Sequence, residues 1–189
     1  MRAPLILAAV LLAPLPALAH PGHGLEHGFM AGVAHPFLGL DHLLAMVTVG
    51  LLGGLMGGTA RFALPGAFLA AMVAGAVLAM TGVTLPGVEA GILASLIVLG
   101  ALAALAARLP LGVTAALVAF FGLLHGAAHG AELPGGSAAL YVAGFVAATA
   151  VLHGVGVALA LPVAPWARRM AQVAGGATAV AGLALAFVG

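Results

Sequence analysis

The chain has 189 residues, 65% of them hydrophobic and only 5% charged, with no lysine, no cysteine and a formal net charge of +1. A soluble domain of this size needs a charged surface that so few charges cannot make, and a mean hydropathy of +1.31 places the chain in the membrane class. The near-neutral balance gives no case for a nucleic-acid partner, and the missing cysteines exclude disulfides, thiolate metal sites and Cys nucleophiles together.

The first stretch, "MRAPLILAAVLLAPLPALA", reads as a secretory signal peptide over residues 1–19. Arg2 is a short positive region, Leu5 to Leu12 an apolar one, and Ala17-Leu18-Ala19 fits a small-residue cleavage pattern. Pro14 and Pro16 break the run before it could span a bilayer. Cleavage would make His20 the new N-terminus and expose "HPGHGLEHG", a His-rich extracytoplasmic segment within residues 20–36. Its His20, His23, Glu26 and His27 are candidate metal-capture ligands, and the free amine and ring of His20 would chelate together.

Six apolar helices follow, expected at 37–57, 63–84, 88–107, 112–131, 137–160 and 169–188. The predicted fold is therefore an all-α integral membrane protein, a six-helix transmembrane bundle over 37–189. The intervening loops carry Pro or Gly and the only nearby charges. With the N-terminus outside, Arg61, Arg108, Arg168 and Arg169 fall in cytoplasmic loops, while Glu26, Glu89 and Glu132 fall outside. The signal peptide and the positive-inside rule thus agree on an inner-membrane protein with both mature termini extracytoplasmic. Gly50, Gly54 and Gly58 in the first helix, and Gly122, Gly126 and Gly130 in the fourth, repeat at four-residue spacing, a pattern that lets helix backbones approach closely in lipid.

The same two helices carry the chemistry. Asp41 lies about one turn inside the outer end of the first, where an ionisable group demands a partner, and His42 follows it. His35 is seven residues before His42, about 10 Å away along a regular helix. Pro36 disfavours helical geometry at His35, and Gly39 can bend the backbone, so His35 either folds back over Asp41 and His42 or forms a separate entry site. On the fourth helix His125 and His129 stand at i and i+4, with Glu132 at the outer rim. That helix runs outward and the first runs inward, so both clusters reach the same outer level. His153 stands alone, deeper on the fifth helix. Met46, one turn below His42, either adds a soft ligand or simply packs.

Imidazoles with a few carboxylates and no thiolate suit borderline divalent ions such as nickel, cobalt, zinc or copper(II). No nucleotide motif is present, so a permease reading implies secondary or channel-like transport, with His153 and Met46 on the path. The alternative is an intramembrane zinc-dependent hydrolase built on the His/Asp cluster. The permease reading requires no prosthetic group, and a homo-oligomer stays open.

"HPFLGLDHLLAM" and "HGAAHGAE" resemble the two signatures of the HupE/UreJ family of nickel and cobalt permeases. The first, H-x5-D-H, falls on His35, Asp41 and His42. The second falls on His125, Gly126, His129, Gly130 and Glu132, with Leu124 where Phe is usual. The resemblance implies uptake of Ni2+ or Co2+ as transported ion, to supply enzymes such as hydrogenase or urease.

Overall fold

The computed structural model describes residues 28–132, 137–161 and 165–188. The expected signal peptide and the ligands His20, His23, Glu26 and His27 lie outside the described residues. Those described form an all-α fold of seven helices and one 3-10 turn. Helix α1 (Phe29–Ala34) leads through the 3-10 turn His35–Phe37 into α2 (Leu40–Met56), and α3 (Ala60–Met80), α4 (Val88–Ala104) and α5 (Leu111–Ala131) follow. Helices α6 (Ala138–Ala160) and α7 (Pro165–Val188) complete the order.

The ends differ from expectation for local reasons. Gly57 (φ 72°) and Gly58 (φ 54°) take left-handed backbone and reverse the chain after Met56. Gly58 is therefore a turn residue rather than part of a packing ridge, and α3 begins early, at Ala60. Ala106 (φ 45°) closes α4 three residues short of the expected end, with the Ala107 N–H donating to the Leu102 carbonyl. At the front, His35 is helical (φ −53°, ψ −48°) despite preceding proline. Pro36 sits in the first positions of the 3-10 turn, where its missing N–H costs nothing. The break falls instead at Gly39, which is extended (φ −108°, ψ 120°). Together these bend the α1 segment 86° away from α2.

Helices α3, α5, α6 and α7 are each long and apolar enough to cross a membrane. The bent pair of α1 and α2 passes the same test only when joined, and α4, with 17 residues, is a shorter apolar helix. The chain is thus a multi-pass membrane protein.

Small residues set which helices touch. A Cβ on Gly122 would meet the Phe68 carbonyl oxygen at 2.6 Å, one on Gly126 the Met72 backbone, and one on Gly130 the Ala76 backbone, so α5 lies directly on α3. Gly50, Gly54 and Gly156 do the same for α2 and α6, and Gly100, Gly175 and Gly182 for α4 and α7. Gly32 and Gly144 seat α1 against the start of α6. Between the α3–α5 and α2–α6 pairs lies a core that includes Met46, Phe68, Met72 and Phe145.

Candidate metal site

The 86° break decides what the first signature can reach. Asp41 and His42 open α2. Asp41 Oδ1 accepts from the His42 backbone N–H (2.8 Å) and faces His42 Nδ1 (3.0 Å). A carboxylate at this point accepts, so Nδ1–H donates and the His42 lone pair moves to Nε2. Gly39 makes room for the pair: a Cβ there would stand 2.7 Å from Asp41 Oδ1 and 3.2 Å from His42 Nδ1.

Of the two placements open to His35, the structure takes the folded-back one. Its ring centre is 4.7 Å from that of His129 and 6.3 Å from that of His42. Its Nε2 lies 3.2 Å from Glu132 Oε2, at the C-cap of α5. His42 in turn stands 5.1 Å from His125 and 4.8 Å from His129, ring centre to ring centre. Four imidazoles from three separate segments, with Asp41 and Glu132 beside them, therefore share one end of the bundle.

Within this group His125 Nδ1 is 2.9 Å from the Phe121 carbonyl. The carbonyl only accepts, which leaves the His125 lone pair on Nε2. His42 Nε2, His125 Nε2 and both His129 nitrogens are buried and find no hydrogen-bond partner among the described residues. A buried polar atom without a partner costs about 1–3 kcal/mol. Helix packing gains nothing from several such atoms, so their gathering favours a ligand-binding role over a structural one. Among the described residues, however, no three His, Asp or Glu side chains form a ready metal cage. The side chains gather without converging on one point.

His153 stands apart from the cluster. Its Nδ1 is 2.7 Å from the Met46 carbonyl, and its Nε2 is buried without a partner among the described residues. Phe68 touches both, with its ring centre 5.3 Å from that of His125 and 5.1 Å from that of His153. The Met46 sulfur accepts a hydrogen bond from Thr149 Oγ1 (3.2 Å), and Met72 Sδ lies 3.9 Å from the same hydroxyl.

Sequence reasoning passed over several of these neighbours. Phe145 stacks on His129 (4.8 Å, 21°), and Tyr141 stands 5.7 Å from His35. Phe68, Met72 and Thr149 were equally silent, since in an apolar helix such residues read as packing. Tyr141 alone carried a signal, as the single tyrosine of the chain, placed at the level of the histidines.

The "HupE / UreJ protein" family model matches residues 8–185. The chain belongs to the HupE/UreJ family. Protein HupE of Rhizobium leguminosarum bv. viciae is 45% identical over 174 residues, covering 90% of this chain and 91% of that protein. No solved structure matches the chain. The one departure from the HupE/UreJ signature, Leu124, points away from the histidines: its Cδ1 fills the space that a Cβ on Gly91 of α4 would need. It belongs to the α4–α5 contact.

Proposed function

We propose that this HupE/UreJ chain is a secondary permease. It takes up a divalent transition metal ion, nickel in the first place and cobalt in the second, across a bacterial-type inner membrane. The ion would supply metalloenzymes such as hydrogenase or urease. The observation that carries the reading is the meeting of His35, His42, His125 and His129 at one end of an apolar bundle, with buried ring nitrogens unpaired among the described residues. Borderline divalent ions prefer such imidazole ligands. A carrier has to bind firmly enough to strip water yet release on the far side, and side chains that gather without forming a cage suit that task.

In this reading the bundle crosses six times, the His-bearing end faces outside, and the four arginines of the loops face the cytoplasm. The segment from His20 to His27 collects the ion, the imidazole cluster takes it, and Met46 and His153 lie on the way in. Asp41 orients His42 and supplies negative charge. Glu132 and His35 form the rim.

The alternative, a membrane zinc hydrolase, has less support. A resident catalytic zinc asks for three converging protein ligands. The two serines of the chain also have other tasks: Ser95 donates to the Ile92 carbonyl and Ser137 caps α6.

Uptake of Ni2+, Co2+, Zn2+ and Ca2+ by proteoliposomes holding the purified chain tests the proposal. Uptake of Ni2+ or Co2+ well above that of Ca2+ is expected. His125→Ala and His129→Ala should each abolish most of it, and the double variant should be little worse than either, as for residues that share one ion. No uptake by folded protein, or equal entry of Ca2+, would refute the permease.

A further inference from the structure

Below the imidazole cluster, between α3 and α6, the molecule holds an open, largely apolar groove of about 620 Å3. It runs from Arg61 and Phe62, at the end of the bundle where the arginines lie, past Pro65 and Ala150 to His153. His153 is 1% exposed, and its inner nitrogen has no partner among the described residues.

His125 and His153 are built alike. Each donates Nδ1–H to a backbone carbonyl, Phe121 or Met46, and so carries its lone pair on Nε2. Donation of one ring N–H to a carbonyl is how a metal-binding imidazole is usually held in orientation. Both rings lie against the same residue, the fully buried Phe68, at 5.3 and 5.1 Å between ring centres. Phe68 is also pinned from behind, because the missing side chain of Gly122 lets α5 rest on its carbonyl. His125 belongs to the outer cluster, whereas His153 lines the groove on the arginine side.

We propose that Phe68 is the partition of the ion path. On this account His153 is a second, inner binding level for a transition metal ion. The groove from His153 to Arg61 is the aqueous vestibule through which that ion leaves. The assignment rests on the permease reading for its cargo, and on geometry for its partition. An aromatic ring without polar atoms offers a hydrated ion nothing to replace its water, so passage requires the ring to swing aside. With Phe68 in place, water and ions reach His153 from one side only.

The chain has no cysteine, so single cysteines report access without interference. Ala150→Cys lines the groove, while Val151→Cys, next to it and 63% exposed, lies outside the lining. Each is exposed to a charged, membrane-impermeant thiol reagent, from the outer face of spheroplasts and from the cytoplasmic face of inverted vesicles. Ala150→Cys should be modified from the cytoplasmic face alone, and Val151→Cys from neither. In Ala150→Cys with Phe68→Ala, modification from the outer face should appear. With Phe68→Leu, which keeps an apolar plug of similar bulk, it should stay absent. Added Ni2+ at the cytoplasmic face should slow modification of Ala150→Cys, and His153→Ala should remove that protection.

Ala150→Cys silent from the cytoplasmic face would mean a groove filled by lipid, and the proposal falls. It falls as well if both faces modify Ala150→Cys while Phe68 is intact, or if folded Phe68→Ala stays one-sided. Loss of folding in Phe68→Ala leaves the sidedness of the wild-type background and the Ni2+ protection as the deciding results. One-sided access in a protein that takes up no metal would instead refute the permease and leave the partition standing.

Discussion

At the scale of single residues, Gly39 and Asp41 decide how His42 is presented. Asp41 accepts both the backbone N–H and the Nδ1–H of His42, which turns Nε2 toward His125 and His129. Asp41→Asn keeps the shape but loses the charge and weakens the hold on the ring. Removal of such an orienting partner typically costs about 10–100-fold in metal affinity, and a loss of that size is expected in Ni2+ titrations of folded protein. A Kd close to that of the unaltered chain would take Asp41 out of the mechanism. Gly39→Ala should act through the same pair, since its Cβ would press on Asp41 Oδ1 and His42 Nδ1. Gly39 has a negative φ, so the backbone tolerates alanine, and the expected result is weaker Ni2+ binding with little change in Tm. A large drop in Tm with unchanged binding would show that Gly39 serves the bend alone.

At the scale of helices, stability rests on close backbone approach. A Cβ on Gly126 would stand 2.6 Å from the Met72 carbonyl carbon and 2.8 Å from its Cα, and backbone atoms of a packed helix cannot yield as a side chain end would. Overpacking of this kind costs about 1–3 kcal/mol, so Gly126→Ala should lower Tm in detergent clearly. Gly112→Ala, on the same helix with nothing within 4 Å, should be neutral or slightly stabilising. Equal Tm for the two variants would contradict the α3–α5 contact. Ala106 works in the other direction. It holds a left-handed conformation that costs a residue with a Cβ about 1–2 kcal/mol, so Ala106→Gly should raise Tm. A fall in Tm would mean that the turn after α4 is held by the alanine side chain.

At the scale of the whole molecule, the antiparallel run of α2 to α7 puts Arg61, Arg108, Arg168 and Arg169 near one end. Glu89, Glu132 and the histidine cluster lie at the other. The expected orientation is testable on the cysteine-free chain. Thr59→Cys, in the exposed turn before α3, should react with impermeant reagent from the cytoplasmic face only. Thr84→Cys, in the exposed turn after α3, should react from the outer face only. Reaction of both from one face would mean that α3 does not cross, and the six-crossing topology would fail with it.

The sequence by itself determined the all-α membrane class, the approximate places of the longer helices and the shared level of the histidine pairs, but not the short helix Phe29–Ala34. Those follow from apolar run length, from Pro, Gly and Arg at the reversals, and from helical spacing, all of which are local. His125 and His129 on one face with Glu132 at the rim needed nothing more than 3.6 residues per turn. The position of His35 was another matter. Pro36 suggested a break at His35 and Gly39 a bend; the chain keeps helical backbone at His35 and opens at Gly39, and the seat of α1 on Gly144 of α6 fixes the direction of approach. Only that tertiary contact lays His35 over His129 and Glu132. Phe68 was likewise illegible, since an aromatic residue in an apolar helix has the same local pattern whether it fills a core or divides a path. Its place beside both His125 and His153 depends on how α3 packs on α5 and faces α6, and the α3–α5 register is set by Gly75 and, two helices on, by Gly122, Gly126 and Gly130.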